Sequence, residues 1–113
     1  MRTVILGVSS REKSNKRFIG ALEGKPQGAF ISFESPKLLF NVLSGNRWDL
    51  LKVMTGAGPI SIREAARLLG RNIKAVHGDV HNLLNVGILQ KTDKGQIEFP
   101  FDAVHVDFML EAA

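Results

Sequence analysis

The chain contains no cysteine and no tyrosine, one tryptophan and four prolines in 113 residues. Without cysteine there is no disulfide staple, no thiolate nucleophile, no thiol redox couple and no sulfur-ligated zinc site. No run of apolar residues approaches the ~20 needed to cross a bilayer. The first residues also lack the charged, then apolar, then small-residue order of a secretion signal. A cytoplasmic protein with no membrane partner is therefore expected. No serine has a histidine and an acid in a recognisable local arrangement. Gly56-Ala57-Gly58 lacks both the third glycine and the preceding strand of a dinucleotide loop, so it reads as a turn. With no catalytic constellation left, an enzyme is not expected and no cofactor is implied.

What the chain does have is a hydrophobic content of 44% beside 23% charged residues, the balance of a globular protein with one modest core. Its net charge of +4 tilts the partner list mildly toward polyanions. The distribution says more. Residues 1–25 carry six basic and two acidic groups, residues 26–98 nine and six, and residues 99–113 none and three (Asp102, Asp107, Glu111). A basic head and middle followed by an acidic tail suggest two faces with different partners.

Thr3–Val8 is rich in β-branched residues and reads as a strand. Ser9 and Ser10 are placed to cap a helix running to about Leu22, Gly24 to Gly28 is a turn, and Ala29–Phe33 alternates as a second strand. Ser35-Pro36 opens a short helix with proline at its first position. Trp48, Leu50, Leu51, Val53 and Met54 make an apolar helix that ends at Thr55-Gly56-Ala57-Gly58-Pro59. Ser61 caps the next helix, with Glu64 three residues on as the second half of a capping box, and Gly70 ends it. A third helix carries Ile73, Val76, Val80, Leu83 and Leu84. After Gly87, Leu89–Thr92 and Gln96–Phe99 flank Asp93-Lys94-Gly95 as a β-hairpin.

Helix, helix, glycine turn, helix and hairpin is the order of a winged helix-turn-helix. Ala65 and Ala66 are small enough to let the third helix cross closely over the second. The predicted class is α+β: a winged helix over residues 35–101, preceded by a strand-helix-strand arm (1–34) and followed by an acidic strand or tail (102–113).

At about 100° per residue, the apolar set of the third helix falls on one side and leaves Lys74, Ala75, Gly78, His81 and Asn82 on the other, with Arg71 and Asn72 at its start. This is the composition of a helix that reads a major groove: donors and acceptors for base edges, and a methyl in Ala75 for thymine. Gly78 weakens the helix by about 1 kcal/mol relative to Ala. Either a partner approaches closely there or the glycine is merely tolerated. Lys91 and Lys94 on the hairpin, and Ser61 and Arg63 at a helix N-terminus, are the expected phosphate contacts.

His77 and His81 stand four apart, a spacing that lets two imidazoles share a metal. The stretch His77-Gly78-Asp79-Val80-His81 lacks the glutamate of a zinc peptidase motif. His77 is read instead as a histidine at the core boundary and His81 as a partner contact, with no metal expected. From Val104 to Leu110 apolar and polar residues alternate, so the tail is a strand in need of a partner. Thr3–Val8 or Ala29–Phe33 can supply it, within the chain or from a second copy. Winged helices that bind DNA usually act as two-fold dimers, so the terminal segments are expected to build a homodimer.

Several stretches carry a family resemblance. They are Arg47-Trp48-Asp49-Leu50-Leu51, Gly58-Pro59-Ile60-Ser61-Ile62-Arg63-Glu64-Ala65-Ala66-Arg67, Leu69-Gly70-Arg71, Lys74-Ala75-Val76-His77-Gly78-Asp79-Val80, Leu83-Leu84-Asn85-Val86-Gly87 and Phe99-Pro100-Phe101-Asp102-Ala103-Val104-His105-Val106. In this order, from about Ser32 to Leu110, the chain resembles a family of small prokaryotic MarR-like winged-helix DNA-binding proteins. Members of that family resemble antitoxins paired with a small toxin of the TumE type. The resemblance implies toxin neutralisation together with repression of a shared promoter. Similar sequences often have arginine where this chain has Gly78, so that one DNA contact is lacking here. A different class stays open beside it: a winged-helix protein-interaction module without specific DNA binding, working through its terminal strands.

Overall fold

A computed structural model describes residues 2–8 and 29–109. The expected helix from Ser9 or Ser10 to Leu22, the turn at residues 24–28 and Leu110 lie outside the described residues. Strand β1 (Thr3–Val8) is central in a sheet, with β2 (Ala29–Phe33) on one side and β5 (Ala103–Asp107) on the other, both parallel to it. Leu6 stands opposite Ile31 and Val106 in register. Parallel neighbours need a long crossover. Here the connection from β2 to β5 holds all the described helices and a hairpin: α1 (Pro36–Val42), α2 (Gly45–Met54), α3 (Ile62–Leu69), α4 (Ile73–Asn85), β3 (Gln90–Lys91) and β4 (Ile97–Glu98). The protein is α+β, as its sequence predicts. No helix among the described residues is long and apolar enough to cross a membrane.

The local signals act where they stand. Ser35 Oγ accepts from Leu38 N at 3.2 Å with Pro36 opening α1. Ser61 Oγ accepts from Glu64 N at 3.0 Å, and Gly70 ends α3 in the left-handed region at φ 63°. Asn72 caps α4, its Oδ1 accepting from Lys74 N at 2.8 Å. Gly95 turns the hairpin at φ 78°, and Gln90 and Lys91 pair with Glu98 and Ile97. One connection has no local signature. Ile60, ahead of α3, exchanges both backbone hydrogen bonds with Ile97, at 2.9 and 2.8 Å, and so lies along the other edge of β4 as a one-residue third strand.

The partner of β5 is β1 of the same chain. Segments that the sequence divides between an arm and a tail thus share one sheet. Asp102 is tied to Arg2 in both directions, Asp102 N to Arg2 O at 2.7 Å and Arg2 N to Asp102 Oδ2 at 2.9 Å. Val4 and Leu6 of β1, Leu39 of α1, Leu50, Leu51 and Met54 of α2, Ala65 and Ala66 of α3, Val76, Val80 and Leu83 of α4, and Ile97 and Phe99 at the hairpin form one buried cluster. Ala65 and Ala66 are both buried in this cluster, and α3 packs against α4.

Two expectations need correction. Ile73 does not join the apolar stripe; it is 44% exposed, because it is the first residue of α4 and lies past the edge of the core. The capping box is half made: the Glu64 carboxylate turns away from Ser61 and pairs with Arg67, through Arg67 Nε at 2.9 Å and Nη2.

Candidate functional site

On α4, Val76, Val80 and Leu83 are buried, and their burial fixes which residues face out. Lys74, Ala75, His77, Gly78, His81 and Asn85 are exposed. An added Cβ at Gly78 would meet nothing within 4 Å. Ser61 and Arg63 at the start of α3, Lys91 in β3 and Lys94 at the hairpin turn are exposed as well.

Three expected site residues are less free to face a partner than the sequence suggests. Arg71 is half-buried and binds Asp79 from Nη1 at 3.0 Å. Asn72 is exposed, but its Oδ1 is spent on the α4 cap, which leaves only its Nδ2 for a partner. Asn82 is half-buried, with Oδ1 enclosed and without a hydrogen-bond partner among the described residues. The reason is geometric. The core stripe centres on Val76, Val80 and Leu83, so residues flanking it, Asp79 and Asn82, are drawn partly inward.

Asp79 is the only acid on α4, and it is neutralised from two sides. Besides Arg71, Arg47 of α2 donates from Nε to Asp79 Oδ1 at 3.3 Å. Arg47 also donates from Nη1 to the carbonyl of Asn41 at 2.7 Å, near the end of α1. The helix face that points outward is therefore free of negative charge. On α3, the hydrogen bond from Arg67, aided by its charge, holds the Glu64 carboxyl below the usual carboxylate range, and the same pairing raises Arg67. Both groups stand in solvent, so this pair affects the surface charge pattern and contributes little to stability.

His77 is not a boundary residue. Both His77 and His81 are exposed, their Nε2 atoms lie 3.0 Å apart, and the rings stack at 4.1 Å between centroids with a 45° tilt. Among the described residues, no group of three or more His, Asp or Glu gathers as a metal cage. Two features escaped the sequence reading. A cleft of about 300 Å³ is lined by Trp48, Leu51, Lys52 and Thr55 of α2 and its end, and by Val104 of β5. Phe40 of α1 meets Phe108 edge-on at 5.2 Å, and with Met109 they leave an apolar patch at the end of β5. Neither has a local signal, since each joins residues far apart in sequence.

These elements define a small α+β protein in which three consecutive helices and a hairpin, all sharing one core, are carried on a parallel sheet. Residues 42–106 match the HVO_A0114 family, and the chain belongs to that family. The matched stretch runs from the last residue of α1 to β5 and leaves out β1 and β2. No curated protein and no solved structure matches the chain.

Proposed function

We propose that this protein is a winged helix-turn-helix transcriptional regulator that binds double-stranded DNA sequence-specifically through α4. The observation that carries the reading is the charge on that helix. Its outward face offers Lys74, Ala75, His77, Gly78 and His81 with no carboxylate, while its single acid is turned toward Arg47 and Arg71. Base edges in the major groove of a duplex meet donors, a methyl and an open glycine there. Lys91 and Lys94 act as the wing on phosphates, and Ser61 and Arg63 hold phosphate at the start of α3. Arg71 and Asn72 contribute less than the outward residues because their polar groups are already engaged.

The protein acts as a homodimer and, by its resemblance to antitoxins paired with a TumE-type toxin, as an autorepressor that also binds a small toxin. The exposed patch of Phe40, Phe108 and Met109 supports a protein partner. That same patch favours a second reading, an interaction module whose basic face is incidental. Fluorescence anisotropy with its own upstream DNA and a scrambled duplex, at two salt concentrations, separates the two. A preference of roughly 10³ or more, falling steeply with salt, is expected of a specific regulator. Equal and weak binding to both duplexes overturns the DNA reading and leaves the interaction module.

A further inference from the structure

We infer that His77 and His81 form a bidentate site for a late first-row divalent metal ion of tetragonal or octahedral preference, Cu²⁺ or Ni²⁺, on the outer face of α4. One turn of helix brings the two rings to the same side. Their Nε2 atoms, 3.0 Å apart, are close to the separation of two nitrogens bound to one ion. With metal–nitrogen bonds of about 2.05 Å, that separation corresponds to an angle of about 94° at the metal. This is a cis angle of a square plane or octahedron and is narrower than the tetrahedral angle zinc prefers.

The surroundings suit an ion. Both rings are exposed, so they can rotate to aim their lone pairs at one point. Gly78, between them in sequence, adds no side chain, and a Cβ there would meet only open space. With no third His, Asp or Glu gathered beside the pair among the described residues, water or a group from a second molecule completes the coordination shell. Imidazole pairs of this kind follow the ordinary affinity series, with Cu²⁺ above Ni²⁺ and Zn²⁺ and with Mn²⁺ weakest. The site does not depend on DNA binding, and its test needs none.

The experiment is calorimetric titration of the full-length, tag-free protein with CuCl₂, NiCl₂, ZnCl₂ and MnCl₂, repeated on His77→Ala, His81→Ala and His105→Ala. His105 lies on β5 and is exposed, so its variant controls for an isolated surface imidazole. The expected result is saturable Cu²⁺ and Ni²⁺ binding that weakens by roughly 10²-fold in either of the first two variants, as a chelate loses one arm, and stays unchanged in the third. Paramagnetic resonance of the Cu²⁺ form should show two equivalent nitrogens. Circular dichroism establishes that the variants stay folded, as substitutions at exposed positions should. Failure of Cu²⁺ to saturate at millimolar concentration, equal affinity in all four proteins, or an affinity series led by Mn²⁺ overturns the site and leaves the pair as an N–H···N hydrogen bond.

Discussion

Arg47 of α2 donates from Nε to Oδ1 of Asp79 on α4, and its other end holds the carbonyl of Asn41 in α1. One guanidinium thus joins three helices, and Asp79 takes Arg71 as a second partner. The side chains of Arg47, Asp79 and Arg71 are 22%, 15% and 24% exposed, so the pairs are partly shielded from water. Asp79→Ala would leave two half-buried cations unpaired and should cost about 2 kcal/mol. Asp79→Asn keeps one acceptor oxygen and should cost less. Urea denaturation measures both; an unchanged midpoint in Asp79→Ala would reduce the triad to a surface decoration.

Gly7 has a different constraint. A Cβ there would sit 2.9 Å from the backbone oxygen of Asp107 and 3.0 Å from Cζ of Phe30, one on each neighbouring strand. Backbone cannot swing aside, so Gly7→Ala should destabilise by about 1–3 kcal/mol through overpacking. Gly45→Ala serves as the comparison, since an added Cβ meets nothing within 4 Å at that position. Its thermal midpoint should hold or rise.

These two sites also mark where the sequence stops being readable. Ser35-Pro36, Ser61, Gly70 and Asp93-Lys94-Gly95 announce themselves because a cap or turn is closed by neighbours within a few residues. The outward placement of Lys74, Ala75, Gly78 and His81 follows from rotation along one helix. Pairing of β5 with β1 is another matter: Arg2 and Asp102 meet across 100 residues, and either of two strands fits the apolar alternation equally well. The roles of Arg71, Asn72 and Asn82 were hidden for a similar reason. A helical wheel assigns direction but cannot know that Asp79 will draw Arg71 to itself or that Asn72 will spend its oxygen on a cap.

At the start of α3 two devices respond differently to acid. Ser61→Ala removes a neutral cap and should cost about 1 kcal/mol at any pH. Glu64 titrates below the ordinary carboxylate range because Arg67 binds its charged form. A carboxyl depressed in the folded state stabilises above its unfolded-state range, and that stabilisation is lost as pH falls through the folded value. Arg67→Ala should return the Glu64 midpoint upward, read from its carboxyl carbon by NMR, while the acid dependence of stability shrinks only slightly at so exposed a pair. A Glu64 midpoint unmoved by the substitution would mean the pair is not formed in solution.

Lys74 tests the face of α4 most directly. It is exposed and, among the described residues, its side chain makes no hydrogen bond or ion pair, so Lys74→Ala should leave the unfolding midpoint within about 0.5 kcal/mol. If α4 meets DNA, the same substitution weakens binding to the protein's own upstream duplex. A contact with a phosphate would also lower the slope of log affinity against log salt by about 1. A contact with a base edge would instead relax discrimination between the own and scrambled duplexes. An affinity equal to that of the unsubstituted protein argues against α4 as the reading helix.

Gly78 separates helix propensity from DNA contact. Its backbone is not in the left-handed region, and an added Cβ meets open space, so Gly78→Ala should raise stability by about 1 kcal/mol. Gly78→Arg should stabilise to a similar degree and also put a cation in the middle of the outward face. On the DNA reading it strengthens binding and steepens the salt slope by about 1, as one more phosphate is neutralised. The alanine variant controls for the helix, since it shares the gain in stability without the charge. Loss of affinity in both variants would mean that the duplex approaches the bare backbone at this glycine. Gain in the arginine variant alone assigns the position to a phosphate, and no change in either removes this turn of α4 from the interface.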